Sequence, residues 1–485
     1  MNHLRFTVVL SLIMILFGQD QEITIEDLYE RDGLFYAPNQ DSTFNGTVTG
    51  NWESGIKKLD YTYKDGKRDS KWATWFSNGQ AEEEIEYQSG IKNGIHKQWY
   101  KNGQQKYERT YKDGIHDGAW IEWYENGQSM VEGSFINGKP DGTWTYWYPN
   151  GQKREEGNPV SSDSTGLSFL NNGIWTYWHP NGQMKETGNY INGVKDGQWT
   201  ELYDNGQIKS SGNYVEDQKD GEWLTFYKTG QLDQSQNYVN GKLDGQWKYY
   251  YINGTIKQSV NYKKGYKHGD YIRYDERQSI LSARKYKNGN QDGKWISYYR
   301  NGQLKYERNY QNGVQHGKWI SYYKNGQLKY EKSYKSGLED GQQLIYYKNG
   351  QIEQESNFSN GEKEGNWIYY FSNGQIWYKQ NYQYTIEHGQ YIEYYQNGQL
   401  KASGEYKIGK KDNLWVSYYE NGQIMEKVNY KNGYYEGDNS TYYSNGKLKS
   451  KGYWINGKKD DLWAWYHKNG QLEEEVSYRD GEISW

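Results

Sequence analysis

The chain has 485 residues, of which 34% are hydrophobic, and a mean hydropathy of −1.21. Its 58 basic and 62 acidic residues leave a net charge of −4 with no block of either sign, which argues against the basic patch of an electrostatic nucleic-acid binder. It has no cysteine, which excludes disulfides, thiolate metal sites and a lipid-modified cysteine.

Such low hydrophobicity alone would suggest disorder. Against that stand 22 Trp and 54 Tyr, with 57 Gly and only 5 Pro. That balance fits turn-rich β-structure. The length alone would suggest about three globular domains, but an internal repeat overrides that prior.

At the N-terminus, His3 and Arg5 precede an apolar run from Phe6 to Phe17, followed by Gly18-Gln19-Asp20. The run is too short for a membrane span and suits the apolar region of a signal peptide. Residues 1–18 are therefore expected to direct export to the periplasm, the cell surface or the medium. Left uncleaved, they would be the chain's only membrane attachment.

Residues 19–45 stand outside the repeat. Ile23 to Arg31 reads as a short helix or strand, Asp32-Gly33 as a turn and Leu34-Phe35-Tyr36 as a strand. Together they are expected to cap the open edge of the first repeat.

Over 46–485 a glycine-containing turn recurs every 24 residues, about 18 times, for example at Asn301-Gly302, Asn325-Gly326 and Asn349-Gly350. Arg277-Gln278 lacks the glycine. Asn-Gly between alternating residues signals a two-residue hairpin turn with both residues at positive φ. In the unit that begins at Gly293, one strand is expected over Trp295 to Tyr299 and a second over Leu304 to Tyr310. A second turn follows at Asn312-Gly313. The fold class is then all-β: an elongated antiparallel array of hairpins forming a twisted meander sheet. About 36 strands at ~4.8 Å would extend roughly 170 Å before twist shortens them. One interruption, a seven-residue insertion within 158–171, reads as a neutral loop extension.

A two-residue turn would place Tyr299 opposite Leu304. Trp295 and Tyr299 would share a face with Leu304 and Tyr310, leaving Ile296 and Tyr298 on the other. The Trp face is the expected core. Its weak points should be Gln343 and Tyr391, which replace tryptophan. On the second face Tyr298, Tyr322, Tyr346, Tyr370, Tyr394 and Tyr418 form the longest run of one aromatic at one position. They are the candidate partner-binding residues, because a phenol presents a ring and a hydroxyl at low entropic cost.

No arrangement reads as catalysis, cofactor binding or a metal site. His268, His316 and His388 share one repeat position with Asp244 and Asp292. That recurrence marks turn residues rather than ligands. The acidic residues Asp196 and Asp220 recur in the same way, as turn acceptors.

Gly293 to Gly317, GKWISYYRNGQLKYERNYQNGVQHG, resembles the MORN repeat variant of bacterial YwqK-family proteins, and the likeness runs from Gly46 to Gly481. That resemblance implies a non-enzymatic scaffold that binds a protein. The family's antitoxin label implies a toxin as that partner, and with an export signal this becomes immunity to an exported toxin. A surface array binding a glycan or the cell wall is the alternative.

Overall fold

A computed structural model describes residues 23–163 and 168–484. The signal-peptide reading over 1–18 lies outside the described residues, as does the middle of the insertion. The chain divides into two compact units, residues 1–242 and 243–485, each a meander in which every strand pairs antiparallel with its sequence neighbours. Apart from a three-residue 3-10 turn at Ile25–Asp27, the regular structure is strand. The all-β hairpin-repeat class expected above is what the chain adopts.

In the first unit the leading segment packs against the first repeat. Strands Tyr29–Arg31 and Leu34–Tyr36 form a small hairpin, and the Phe35 amide donates to the Gly66 carbonyl at 2.8 Å. Ala37, Phe44, Val48, Leu59, Tyr63, Trp72 and Tyr87 form a buried cluster, with Ile23, Ile25, Leu28 and Phe35 against it. The insertion lengthens a hairpin. Strands Lys153–Ser161 and Phe169–Trp178 pair through Pro159 with Asn171 and Ser161 with Phe169. Phe169 reaches the Trp144 ring at 5.5 Å.

The two turn types differ from expectation in an instructive way. At Asn312-Gly313 both residues have positive φ, 49° and 89°, and Gln311 pairs with Val314. This is the two-residue hairpin turn. At Asn301-Gly302 only the glycine has positive φ, 83°. Gly302 donates to the Tyr299 carbonyl at 2.9 Å and Tyr299 to the Gln303 carbonyl at 2.8 Å. That pattern is a type I turn closed by a glycine bulge. The strand body keeps the expected register, with Trp295 opposite Arg308 and Ser297 opposite Tyr306. The last pair slips by one, so Leu304 faces Tyr298 and the expected Tyr299–Leu304 pairing does not form.

Freed from that pairing, Tyr299 donates its hydroxyl to the Tyr322 carbonyl of the next unit at 2.9 Å. Tyr323, Tyr347, Tyr395, Tyr419 and Tyr443 repeat the bond 23 residues on. The central asparagine is there for a related reason. Asn325 Nδ2 donates to the Lys348 carbonyl of the next turn at 2.8 Å, and its Oδ1 accepts the Gln327 amide at 3.1 Å. Asn325→Ala should therefore loosen the two turns it joins by about 1 kcal/mol. Hydrogen exchange at Gln327 should accelerate, and unchanged exchange there would contradict the ladder.

Asp196, Asp220, Asp244 and Asp292 accept turn amides, and of the three histidines His268 does so. Asp292 Oδ1 accepts the Asn312 amide at 3.1 Å, and His268 Nδ1 accepts the Asn288 amide at 3.4 Å.

The core is an aromatic row on one face of the sheet. In the second unit the rings run Tyr286, Trp295, Tyr310, Trp319, Tyr334, with centroids 5.4, 4.9, 5.2 and 4.9 Å apart. Trp295, Trp319, Trp367, Trp415 and Trp463 are buried. Each donates its indole N–H to the carbonyl ten residues earlier, at 2.9–3.2 Å. A cation lies over each ring. Arg284 and Arg308 cover Trp295 and Trp319 from the preceding strand. Lys363, Lys411 and Lys459 cover Trp367, Trp415 and Trp463 from four residues upstream. Such contacts contribute about 0.5–2 kcal/mol each and let a single sheet bury its rings without a second layer.

Candidate functional site

The six predicted tyrosines all lie in the second unit, and the sheet sets them in one row. Each ends the strand that carries the core tryptophan position, as Tyr322 ends Gly317–Tyr322 and Tyr346 ends Gly341–Tyr346. They point away from the Trp row because side chains alternate along a strand. All six are half-buried. The backbone carbonyls of Tyr322, Tyr346, Tyr370 and Tyr418 accept the hydroxyl of the preceding unit's Tyr299, Tyr323, Tyr347 and Tyr395, so the row's spacing is fixed by hydrogen bonds rather than by packing alone.

Beside the tyrosines runs an aliphatic row, Ile296, Ile320, Leu344, Ile368, Ile392 and Val416, at the strand position two residues earlier. A carboxylate row follows. Glu307 and Glu331 flank Ile320 on its two neighbouring strands, and Glu355 faces Leu344. Tyr370 donates to Glu355 Oε1 at 2.8 Å. Burial and that carboxylate push its phenol up to about 12. Burial also raises Tyr346, with Glu331 and Glu355 adding to the shift. These tyrosines are therefore neutral donors at physiological pH. Lys294 pairs with Glu307 at 2.7 Å. Rings, aliphatic side chains and charged groups thus lie side by side on this face. Glutamate holds the position facing the aliphatic row at 307, 331 and 355, while Lys379, Ser403 and Lys427 hold it in the later units; the repeat was legible in the sequence, but only the sheet register puts it beside the tyrosines.

The opposite face departs from its own pattern where tryptophan is replaced. Gln343 is buried, and its Nε2 has no hydrogen-bond partner among the described residues. Tyr391 stacks on Trp415 at 5.4 Å. Beside it opens a recess of about 200 Å³ whose walls include Tyr391, Glu393, Tyr406, Lys411, Trp415 and Glu426. Of the two positions expected as weak points, Gln343 is thus an orphaned amide, while Tyr391 continues the aromatic row beside an open recess.

In the first unit His96 stands at the tryptophan position, buried, with Nε2 2.8 Å from Glu83 and 3.0 Å from the Tyr107 hydroxyl. The bond from His96 lowers the Glu83 carboxyl. Nearby, His116 sits among Tyr111, Trp120 and Phe135. Burial, with Arg109 and Lys92 close by, lowers it from 6.5 to about 4. The unfolded chain binds this proton first, so stability is lost as pH falls from about 6.5 towards about 4. Hydrogen exchange around residues 105–145 should speed up across that window, and His116→Phe should abolish the change. Equal acid sensitivity in the variant would exclude His116 as its source. Among the described residues, no three His, Asp or Glu side chains gather as a metal site.

Comparison with known proteins bears on the repeat. The family model described as MORN repeat variant matches residues 92–113, 117–137, 140–158, 171–192, 195–216, 219–240, 243–264, 291–312, 315–336, 339–360, 363–384, 387–407, 411–432, 435–456 and 462–480. It passes over the segment holding Arg277-Gln278. No curated protein matches the chain. Among solved structures, the TcdB2-TccC3-Cdc42 complex is similar at 11% identity over 91% of this chain and 28% of that one, with a TM-score of 0.14. A porin-like protein from Bacteroides uniformis is similar at 12% identity over 58% of this chain and 93% of that one, with a TM-score of 0.09. The chain spans under a third of the first of these, and likenesses at such scores carry no argument.

Proposed function

The chain belongs to the MORN repeat variant family, and from that premise we propose that it is an exported, non-enzymatic scaffold that binds a protein partner along its tyrosine face. The observation that carries this reading is the row Tyr298, Tyr322, Tyr346, Tyr370, Tyr394 and Tyr418, flanked by aliphatic side chains, with Tyr322, Tyr346, Tyr370 and Tyr418 tied to the preceding unit by the hydroxyl ladder and with Glu307, Glu331 and Glu355 beside its first units. A partner that reads such a row touches several units at once, and its contacts add as linked sites do. The antitoxin form of the reading, in which the partner is an exported toxin, rests on the resemblance to the YwqK family.

The test is the triple change Tyr322→Ser, Tyr346→Ser and Tyr394→Ser in the full chain, with partners captured from a periplasmic extract. The expected result is a protein that keeps its strand circular dichroism and loses its partner. A folded triple variant that retains every partner overturns the reading. An unfolded one assigns the row to the core.

A second reading has its own observation. The recess beside Tyr391 joins aromatic walls to two carboxylates and a lysine, the chemistry that holds a sugar ring. Glycan-array binding lost in Tyr391→Ala, with the tyrosine face intact, would favour it.

A further inference from the structure

The chain carries two sets of Asn-Gly pairs, and the sheet treats their side chains differently. In the central turns the amide is held at both ends. The Nδ2 groups of Asn325, Asn349 and Asn421 donate to the next unit's carbonyl at 2.8, 2.7 and 2.8 Å, while each Oδ1 accepts the amide two residues on at 3.0–3.1 Å. In the two-residue turns the backbone is held instead. The amides of Asn312, Asn432 and Asn456 donate to Asp292, Asp412 and Glu436 at 3.1, 3.2 and 2.8 Å. Among the described residues the side chains of these three make no hydrogen bond. Both sets are exposed, so access to water does not separate them. The following glycine amide is donated in both, at 2.9 Å from Gly326 and 2.8 Å from Gly313. The sets differ in the freedom of the side-chain amide and in the asparagine φ, which is positive only in the two-residue turns.

We propose that Asn312, Asn432 and Asn456 are sites of spontaneous deamidation, and that the inter-unit ladder protects the central asparagines. In the reaction the Gly313 nitrogen, its proton passed to solvent base, bonds to Asn312 Cγ. The Cγ–Nδ2 bond breaks and ammonia leaves, closing a succinimide. Water then opens either C–N bond of that ring, to give aspartate or isoaspartate. The nitrogen must approach a rotating carboxamide, which the ladder opposes at Asn325 and no side-chain hydrogen bond opposes at Asn312. Each event puts one negative charge on the edge of the sheet that carries the two-residue turns. Isoaspartate also adds a backbone methylene, in a turn whose φ values leave little slack.

Two asparagines grade the series. Asn373 and Asn469 reach only the glutamine of their own turn, at 3.4 and 3.0 Å, and should fall between the two classes.

The experiment incubates the full chain in mildly alkaline buffer and follows each Asn-Gly peptide by mass spectrometry with isoaspartate detection. A parallel sample is kept in urea. Two hydrogen bonds' worth of restraint predicts that Asn312, Asn432 and Asn456 convert roughly thirtyfold faster than Asn325, Asn349 and Asn421, and that urea abolishes the difference. Equal rates in the folded chain overturn the proposal, as does a difference that survives in urea, since neighbouring sequence would then be its cause. Conversion in urea alone overturns it too, because the two-residue turns would then be protected by something other than the ladder.

Discussion

Replacing Trp319 by alanine should destabilise the units around it by about 3 kcal/mol or more. The indole is 7% exposed. It lies between Tyr310 and Tyr334, under the Arg308 guanidinium at 4.7 Å, and donates to the Asn309 carbonyl at 2.9 Å. Removing it opens a cavity in the aromatic row, strips one guanidinium of its aromatic partner and takes one of two donors from the Asn309 carbonyl, which keeps the His316 amide at 3.0 Å. The damage should stay local, because each strand touches only its neighbours. Amides of Gly317–Tyr322 and the strands either side should lose exchange protection, while those of Ile115–Trp123 keep theirs. Unchanged protection around residue 319 would show that the tryptophan row is not the core. Trp319→Phe, which keeps one ring but loses the indole hydrogen bond and part of the buried volume, should cost less than the alanine change, about 1–2 kcal/mol.

Most of the architecture was legible because the chain states it many times over. Alternation fixed which residues share a face, and Trp295 does sit beside Tyr310. The turn type was not legible. Asn-Gly is the signature of a two-residue turn, and at Asn312-Gly313 it makes one. At Asn301-Gly302 the same dipeptide closes a type I turn, and its asparagine is bound to the next unit at Lys324. That partner lies 23 residues away, beyond any local pattern. The tyrosine row was legible as a repeated residue and the glutamate row as another. That they lie side by side follows only from strand pairing. The cations over the indoles could have been read by laying the repeat over itself. Residues 11 and four before each tryptophan trade roles, as in Arg308 with Gln315 before Trp319 and Gly404 with Lys411 before Trp415.

That exchange yields the second large effect, at Gly404. A Cβ there would lie 2.2 Å from the Trp415 ring, although the backbone itself accepts an L-residue. The indole is already contacted on several sides. Lys411 covers it at 4.2 Å, Tyr391 stacks on it at 5.4 Å and Tyr406 abuts its edge at 5.1 Å. Gly404→Ala should therefore cost about 1–3 kcal/mol through overpacking. Gly404→Arg should cost more, since a guanidinium and the Lys411 ammonium would then compete for one ring. The Trp319 unit holds an arginine at that position without strain because its upstream residue is Gln315 rather than lysine. Gly404→Arg combined with Lys411→Gln copies that arrangement and should recover most of the loss. The double-mutant cycle, read by exchange protection of Leu414 to Tyr418, should show a coupling of about 1 kcal/mol or more in the favourable direction. Strictly additive losses would mean that the glycine serves the backbone and not the ring. Recovery would establish that each indole takes one cation from one of two places, and that the residue left over must be small or neutral.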